Sequence, residues 1–329
     1  MSRRRGGLVV GGMTCLALLA WSWLDEGAPV QVSVPVGATL SDVADSLAAR
    51  GVVRWQSLFK LQARVLRAER GLRAGTYALR TGSSSLSVLR TLKRGEVMTV
   101  AVTIPEGFRL TQMAPRIAAV TGVRADSVMG ILEQPRLAER LGAPGESLEG
   151  YLFPDTYRFA LGVSVASVAD AMLDRYERAW TPERRERLGS LGLTEHQLVT
   201  LASIVQAEAR LQEEMPRIAG VYHNRLERGW RLQADPTVLY ALGGYRERLL
   251  YAAIDSVQDH PYNTYGRAGL PPGPIGAPGE AAIDAALNPT GDYLYFVAWP
   301  DGSHVFTRSL AEHNRAKASA QRARNGSAS

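Results

Sequence analysis

The 329-residue sequence predicts an α+β protein with a single N-terminal transmembrane helix, a small α/β module and a larger mixed α+β domain. Three observations predict this class. Gly6 to Leu24 has no charged side chain and is long enough, as a helix, to cross a bilayer. A strand, tight turn and helix pattern occurs twice in the first third of the chain. A hairpin pattern lies near the C-terminus.

The charge-free run is expected to be an uncleaved anchor within residues 1–25. Arginines at positions 3 to 5 precede it, so the positive-inside rule places the N-terminus in the cytoplasm. A cleaved signal peptide is the alternative, but the run is long for one and no Ala-x-Ala follows it. Cys15, the one cysteine, lies inside the run. The exported part would therefore have no disulfide.

A small module is expected over residues 31–100. Its first strand, turn and helix return 70 residues later, and the matching positions are Val34-Pro35-x-Gly37-x-x-Leu40 and Ile104-Pro105-x-Gly107-x-x-Leu110. After the first copy we expect a helix near 55–65, a strand at 76–80 and a helix near 86–93. This order of strand, two helices and strand resembles a LysM-like sugar-binding module. An unspecialised spacer is the alternative.

The larger domain is expected over residues 101–318. Residues of about 111–187 predict a mainly helical insert, and about 190–318 predict the core. Within the core, helices are expected up to Glu208, from Pro216 to Arg228 and from Asp235 onward, followed by a hairpin whose strands are 293–298 and 304–307. Residues 319–329 are small, polar and basic, which predicts a disordered tail.

Composition excludes several classes of function. The formal net charge is +6, but the N-terminal arginines and the basic tail supply it, so a nucleic-acid footprint is not expected. The five histidines form no i,i+4 pair and no short ligand cluster, so no metal site is expected. Lysine occurs only at Lys60, Lys93 and Lys317, which excludes a pyridoxal Schiff base in the core. We therefore expect no cofactor.

Glu208 is the most informative residue. It projects about 20° from Leu201 and about 40° from Ile204 around a predicted helix, so it shares their apolar face. Thr194 followed by Gln197 reads as a capping box at the start of this helix. Burial raises the pKa of a carboxyl, and a carboxyl protonated near neutral pH can act as a general acid. The alternatives are a structural glutamate or a frayed, solvated last turn.

Polar and aromatic residues follow Glu208 along the chain. Such side chains suit a glycan groove, because sugars bind to amide and hydroxyl groups and to flat aromatic surfaces. The candidates for substrate binding are Asn224, Gln233, Asp235, Tyr262 and Asn263. Simpler structural interpretations are open for these residues and for the loop that follows them. Asp235 could be a helix N-cap, Asn224 could satisfy a buried backbone group, and the Gly-Pro loop at 269–279 could be a packed connection.

Several motifs in order resemble one known family. They are Ala202-Ser203-Ile204-Val205-Gln206-Ala207-Glu208, Val221-Tyr222-His223-Asn224-Arg225-Leu226, Leu232-Gln233-Ala234-Asp235-Pro236-Thr237, Tyr262-Asn263-Thr264-Tyr265, Gly269-Leu270-Pro271-Pro272-Gly273-Pro274-Ile275 and Glu149-Gly150-Tyr151-Leu152-Phe153-Pro154-Asp155-Thr156-Tyr157. The chain is similar to the YceG-like family of endolytic murein transglycosylases, the MltG type, from the anchor to about Asn314.

The resemblance implies a single-pass protein of the bacterial inner membrane with a periplasmic catalytic domain. It implies that the enzyme cuts nascent peptidoglycan strands internally and leaves 1,6-anhydro-N-acetylmuramic acid ends, which terminates strand elongation. The family's catalytic glutamate falls on Glu208. The family often has Glu-Lys-Glu where this chain has Gln206-Ala207-Glu208, so only the last carboxylate is kept. The implied partners are glycan strands and the peptidoglycan synthases of the elongation machinery, with no metal and no cofactor.

Two other functions stay open at this point. A membrane-anchored scaffold could bind peptidoglycan without cutting it, but a binder has no use for a buried carboxyl. A retaining hydrolase could use Glu208 with Asp235, and its two carboxyl groups would lie about 5–5.5 Å apart. A lytic enzyme needs only one, because the C6 hydroxyl of the sugar replaces the second carboxylate as nucleophile.

Overall fold

The computed structural model describes residues 27–244 and 251–326. The predicted anchor lies outside these residues. Within them, no helix combines the length and the apolar composition that a bilayer crossing requires. The chain forms two compact units, and it passes from the first to the second between Val100 and Ala101. Residues 158–162 belong with the first unit.

The N-terminal unit has the predicted order of strand, two helices and strand. In chain order it contains β1 (Pro29–Val34), α1 (Leu40–Ala49), α2 (Gln56–Val65), a 3-10 turn (Glu69–Gly71), β2 (Gly75–Arg80) and α3 (Ser85–Arg94). Strands β1 and β2 pair antiparallel from Pro29 opposite Arg80 to Val34 opposite Gly75. Leu47, Phe59, Tyr77 and Leu92 are fully buried in its core. The likeness to a LysM module stays a prediction.

The turn between β1 and α1 shows why this segment folds as predicted. Gly37 has a φ of +79°, a left-handed conformation that glycine adopts without steric cost. Thr39 then caps α1, and its hydroxyl and the Asp42 carboxylate form a reciprocal capping box. The second copy of the pattern has the same geometry, with Gly107 at a φ of +75°. The repeated sequence therefore forms two similar turns into helices.

The C-terminal unit is mainly helical. Strands β3 (Thr99–Thr103) and β4 (Thr156–Ala160), whose residues are divided between the two units, form a two-stranded sheet. Within the C-terminal unit, β5 (Tyr295–Ala298) pairs antiparallel with β6 (His304–Thr307) as the predicted hairpin. The helices are α4 (Leu110–Thr121), α5 (Ala125–Leu132), α6 (Pro135–Leu141), α7 (Val165–Ala179), α8 (Pro182–Leu191), α9 (Glu195–Glu208), α10 (Met215–Glu227), α11 (Asp235–Ala241), α12 (Tyr251–Asp255), α13 (Glu280–Leu287) and α14 (Leu310–Gly326).

Helix α9 is the centre of this unit. Every residue from Leu198 to Val205 is buried, and α10 and α13 pack against it. The sequence predicted a single apolar stripe, but neighbours cover all sides of this helix over those two turns. Its apolar residues join those of α10 and α13 in one continuous core. The site that α9 carries is therefore supported from several directions.

Three features differ from the predictions. Helix α14 continues to Gly326, where a disordered tail was expected from residue 319; Ala320, 2% exposed, lies within the part expected to be disordered. Helix α13 was not predicted, although it forms one wall of the core around α9. Strand β4 lies at the end of the aromatic segment 148–157, where only an interruption between helices was expected. It pairs with β3, which is far away along the sequence.

Candidate active site

The helix that carries Glu208 is held firmly at its start. The Thr194 hydroxyl accepts a hydrogen bond from the Gln197 amide at 3.2 Å, and the Gln197 side-chain oxygen accepts from the Thr194 amide at 2.9 Å. This is the predicted capping box. At the other end the backbone becomes extended at Ala209, with φ −71° and ψ 128°. Glu208 is thus the last residue of a capped and buried helix.

The Glu208 carboxyl contacts the next helix. The hydroxyl of Tyr222 on α10 donates to Glu208 Oε1 at 2.8 Å. Tyr222 is 1% exposed, and its ring packs edge-on against Phe296 of β5, with ring centroids 5.8 Å apart. Because the tyrosine is fixed by its packing, the hydrogen bond fixes one carboxyl oxygen as well. Glu208 as a whole residue is half-buried, and its carboxyl is shielded from water.

Burial raises the pKa of the Glu208 carboxyl to about 7. The hydrogen bond from Tyr222 and the positive charge of Arg225 act against this rise, while the negative charge of Asp235 adds to it. The frayed, solvated last turn considered from the sequence is not what the structure shows. Near neutral pH this group is divided between its acid and base forms, which suits a residue that must donate a proton and then accept one.

Arg225 is the buried cation of the site. It is 8% exposed, and its Nε donates to the backbone oxygen of Leu294 at 2.8 Å while Nη1 donates to the backbone oxygen of Leu232. Its guanidinium also lies over the Tyr295 ring, 5.4 Å from the centroid. Arg225 thereby ties the segment before α11 and the C-terminal hairpin to α10. It also supplies positive charge near Glu208.

Gln233 and Asp235 lie on an exposed edge beside this centre. Leu232 and Ala234, which alternate with them, are buried, so the two polar side chains face outward. Gln233 has a φ of +51°, which is uncommon for a residue other than glycine. The backbone N–H of Gln233 donates to the Thr264 backbone oxygen at 3.1 Å. The loop around Thr264 therefore holds this edge in place.

Asp235 accepts a hydrogen bond from the Tyr265 hydroxyl at 2.5 Å. Helix α11 begins at Asp235 itself, and Ala234 occupies the cap position with no side-chain cap. The interpretation of Asp235 as an N-cap is therefore wrong. Its carboxylate is exposed and close enough to Glu208 to raise the pKa of that group. Substrate binding by Gln233 and Asp235 stays a prediction that this exposure favours.

The remaining three candidates have different surroundings. The Tyr262 ring is half-buried and packs against Tyr240, with centroids 4.7 Å apart. Asn263 is 1% exposed, and its amide nitrogen donates to the backbone oxygens of Ile254 and Val257 at 3.0 Å each. The Asn224 amide donates to the backbone oxygens of residues 291 and 293. The two asparagines thus hold loops, and contact with a substrate stays a prediction for all three.

The Gly-Pro loop is a packed connection along α9, the alternative considered from the sequence. Residues 273–279 are buried. His196 Nε2 lies 2.7 Å from the Pro272 oxygen, the Ile275 amide donates to Ser203 Oγ at 3.1 Å, and the Gly279 amide donates to Gln206 Oε1 at 3.0 Å. The Gln206 side chain therefore binds the loop, whereas the Glu208 carboxyl binds the Tyr222 hydroxyl.

A second buried carboxyl lies in the same unit. Glu149 is 7% exposed at the start of α4, where the Leu110 amide donates to its two oxygens at 3.2 and 3.3 Å. Burial raises the pKa of Glu149 to about 7, although Leu110, Arg109 and Tyr240 act against the rise. Asp155, the other carboxylate of this segment, pairs with Arg175 at 2.7 Å. Glu149 resembles a helix-capping anion in its contacts.

Tyr222 and Arg225 were not proposed as site residues from the sequence. A signal was present, because Ile218, Val221, Tyr222 and Arg225 recur at the spacing of one helical face. A tyrosine hydroxyl and a guanidinium on an otherwise apolar face need buried partners. Across residues 27–244 and 251–326, no group of three or more His, Cys, Asp or Glu side chains could hold a metal ion.

Comparison with known proteins adds to this geometry. The chain is 33% identical to an endolytic murein transglycosylase of Bacillus subtilis, over 94% of this chain and 90% of that protein. It is 31% identical to an endolytic murein transglycosylase of Streptococcus pneumoniae, over 87% of this chain but only 57% of that longer protein. A crystal structure of a yceG-like protein from Listeria monocytogenes superposes with a TM-score of 0.61 at 31% identity, covering 87% of this chain and 98% of that one. Residues 32–319 match the YceG-like family, and the chain belongs to this family.

Proposed function

We propose that this chain is a membrane-anchored endolytic peptidoglycan lytic transglycosylase. It cleaves the β-1,4 bond between N-acetylmuramic acid and N-acetylglucosamine within nascent glycan strands, and it forms 1,6-anhydro-N-acetylmuramic acid ends that terminate elongation. The names of the relatives from Bacillus subtilis and Streptococcus pneumoniae support the reaction class. The charge-free run at residues 6–24 supports the anchor and an outward-facing catalytic unit.

The observation that carries the proposal is the state of Glu208. Its pKa is raised to about 7 by burial, and its carboxyl is fixed by the Tyr222 hydroxyl at 2.8 Å. A general acid works best when its pKa lies near the operating pH, because it must be protonated at the start and still release its proton. A binding protein gains nothing from such a group. This is why we prefer the enzyme to the scaffold.

The reaction needs two proton transfers by one residue. Glu208 first donates its proton to the glycosidic oxygen as the bond from C1 of the muramic sugar breaks. The resulting carboxylate then accepts the proton of the C6 hydroxyl, whose oxygen bonds to C1 of the same sugar. The proton that Glu208 lost is regained, so the residue returns to its starting state. The attack is favoured because nucleophile and electrophile belong to one ring.

The exposed edge beside Glu208 suits a glycan strand. Gln233 and Asp235 offer an amide and a carboxylate at the surface, and Tyr262 offers a half-buried aromatic ring. Polar groups of this kind bind sugar hydroxyls, and rings bind the apolar faces of sugars. We propose these three residues as direct contacts. Asn224 and Asn263 would act mainly by holding the loops that form the edge.

Product analysis distinguishes the alternatives. Purified peptidoglycan is digested and the released fragments are weighed. A lytic product is about 18 Da lighter than a hydrolysed end, because the C6 hydroxyl takes the place of water. Reducing muramic ends as the main product would instead favour a retaining hydrolase that uses Glu208 and Asp235. Binding of the protein to peptidoglycan without release of any fragments would favour the peptidoglycan-binding scaffold.

The synthases of the elongation machinery are the partners proposed for the full-length protein. An enzyme that ends nascent strands must act where strands are made, on the outer face of the inner membrane. Cross-linking of the full-length protein in cells, followed by identification of the captured proteins, tests this part. Capture of proteins unrelated to peptidoglycan synthesis would count against it, without affecting the proposed reaction.

A further inference from the structure

Helix α2 of the N-terminal unit exposes an apolar surface. Trp55 is 70% exposed, Leu61 57% and Val65 74%, and Leu58 and Leu66 are exposed as well. These five side chains lie within twelve consecutive residues. We call them the α2 stripe. Large apolar side chains scattered singly over a surface are ordinary, but a contiguous group marks a site of interaction.

Three members of the stripe form a second apolar face on the helix, and Trp55 and Leu66 flank it at the two helix caps. Phe59 and Ala63 are fully buried and face the core of the unit. Leu58, Leu61 and Val65 fall within about 60° of one another, on a direction roughly 140° from that core face. Folding of the unit therefore accounts for one face only. The other face is apolar without a partner in the folded unit.

The charge around the stripe is strongly positive. Residues 50–73 contain seven arginine or lysine residues and one acidic residue, Glu69. Arg54 precedes the stripe and Arg67 follows it, and both are exposed. Arg64 lies on the same helix and pairs with Glu69 at 3.3 Å, while Lys60 pairs with Asp45 at 3.5 Å. An apolar helical face with basic flanks is the pattern of helices that lie in the surface of anionic membranes.

Chain length places this unit at a membrane if the anchor is present. The charge-free run ends at Leu24, and β1 begins at Pro29. Four residues lie between them, and the five Cα-to-Cα steps from Leu24 to Pro29 span at most about 18 Å when fully extended. A unit tethered so closely has its surface within reach of the lipid headgroups. An apolar helical face can enter that region to a depth of about 5–10 Å.

We propose that the α2 stripe docks onto the anionic surface of the membrane and holds the N-terminal unit flat against it. The inference uses the anchor of the proposed function only for this distance argument. Trp55 suits the headgroup region, where tryptophan is enriched. A glycan surface is the less favoured occupant, because four of the five side chains are aliphatic and sugars bind to aromatic faces with amide and hydroxyl groups.

Site-directed spin labelling of the full-length chain tests the docking. Cys15→Ser removes the one native cysteine, and Leu61→Cys places a label on the stripe. Val36→Cys, at a turn residue that is 93% exposed in the same unit, is the matched control. The protein is reconstituted into vesicles of phosphatidylethanolamine and phosphatidylglycerol. Accessibility of each label to oxygen, which partitions into lipid, and to a water-soluble nickel complex is measured.

We expect the ratio of oxygen to nickel accessibility to be several-fold higher at residue 61 than at residue 36. Vesicles of phosphatidylcholine alone should lower that ratio at residue 61, because each basic side chain near an anionic surface strengthens docking about fivefold. A label at residue 61 as accessible to nickel as the control would overturn the proposal. Shielding from both reagents would identify a protein contact instead, and shielding only after soluble glycan strands are added would identify a sugar surface.

The anchor is checked separately by alkaline extraction of the same vesicles. Release of the protein would show that the anchor of the proposed function is absent, while an oxygen-accessible label at residue 61 would still support docking. Retention of the protein with a nickel-accessible label at residue 61 would leave the anchor intact and overturn docking. The anchor and the docking of the α2 stripe can therefore be contradicted separately.

Discussion

The end of α9 around Glu208 and the start of α4 around Glu149 make an instructive pair. Burial raises the pKa of both carboxyls to about 7. Their contacts differ. Glu149 receives the amide of Leu110 at the first residue of a helix, close to Arg109. Glu208 receives the hydroxyl of Tyr222 at the last residue of a helix.

A raised pKa therefore does not by itself identify a catalytic acid. The start of a helix presents unpaired amides that favour a carboxylate, so Glu149 has a structural task there. Glu208 has no such task at a helix end, and it lies close enough to the exposed Asp235 for that carboxylate to raise its pKa. The hydrogen-bond partners of a buried carboxyl and its access to substrate decide whether it caps a helix or acts as an acid. The two carboxyls can be compared directly by substitution.

The largest effect is expected for activity. Glu208→Gln should lower the rate of strand cutting by at least about 10²-fold, because the amide cannot donate and recover a proton. The fold should survive, because the amide has nearly the same shape. Glu149→Gln is the matched control and should retain most of the activity. Release of anhydro ends from peptidoglycan measures both. An equal loss in the two variants would remove the distinction between the carboxyls.

The second effect concerns stability and pH. Each carboxyl has a folded-state pKa of about 7 against an ordinary value of 4.5. Between these values the folded protein binds more protons than the unfolded chain, so stability falls as pH rises through this window. The loss is up to about 3 kcal/mol for each group. Urea unfolding between pH 4.5 and pH 7 should show a shallower fall in Glu208→Gln and in Glu149→Gln than in the wild type. Parallel curves would mean that neither carboxyl is perturbed.

The third effect should appear at Glu149 alone. Glu149→Ala removes the acceptor of the Leu110 amide at the start of α4 and should cost about 2 kcal/mol of unfolding free energy at neutral pH. Glu149→Gln keeps a side-chain oxygen there and should cost less. Chemical denaturation of the three proteins measures this order. If Glu149→Ala were as stable as the wild type, its capping role would be wrong.

The smallest effect is expected at the partner of Glu208. The wild-type rate should fall as pH rises through about 7, because Glu208 must begin protonated. Tyr222→Phe removes a hydrogen bond that lowers the pKa of Glu208, so this fall should move to higher pH. The maximal rate should drop about tenfold, since the carboxyl loses its fixed orientation.

Tyr176→Phe is a matched control, because the Tyr176 hydroxyl donates to Glu195 at 2.6 Å, another pairing of tyrosine and glutamate in the same unit. The pH profile of this control should coincide with that of the wild type. A profile of Tyr222→Phe that also coincided with the wild type would show that the hydroxyl does not act on Glu208.

Local signals in the sequence predicted much of this fold. The capping box of Thr194 and Gln197, the glycine turns at Gly37 and Gly107, and the C-terminal hairpin all depend on residues close together along the chain. Helix α13 was missed because it has only eight residues, four of them alanines that give a weak apolar periodicity, and no side-chain cap at its start. Its helical state depends on packing against α9 and α10.

The candidate site shows the same limit. The sequence predicted that Glu208 lies on an apolar helix, on a single apolar stripe. In the structure, α9 is buried on all sides over residues 198–205. The pairing of Glu208 with Tyr222 joins two helices and follows from tertiary packing. Asn263 was predicted to bind substrate because amides bind sugars, and that stays a prediction; in the structure its amide nitrogen donates to two backbone carbonyls. Composition cannot separate these two uses of an amide.

The folded part of the chain is close to neutral as a whole, but its charge is unevenly divided between the two units. Residues 27–100 contain eleven basic and four acidic residues, whereas residues 101–329 contain 24 basic and 26 acidic ones. The positive charge therefore belongs to the unit nearest the predicted anchor. This uneven distribution of charge becomes apparent only when the two units are counted separately.

The end of α9 also carries charge of its own. Aligned peptide dipoles place roughly half a negative charge at the C-terminus of a helix. The backbone leaves the helix at Ala209, so Glu208 stands in the last turn, where that charge opposes ionisation of a carboxyl. Helical side chains also tilt toward the N-terminus, which directs this one back over the buried turn. A helix that continued past residue 208 would move its negative end away and make Glu208 a stronger acid, so the point at which α9 stops helps to set its acidity.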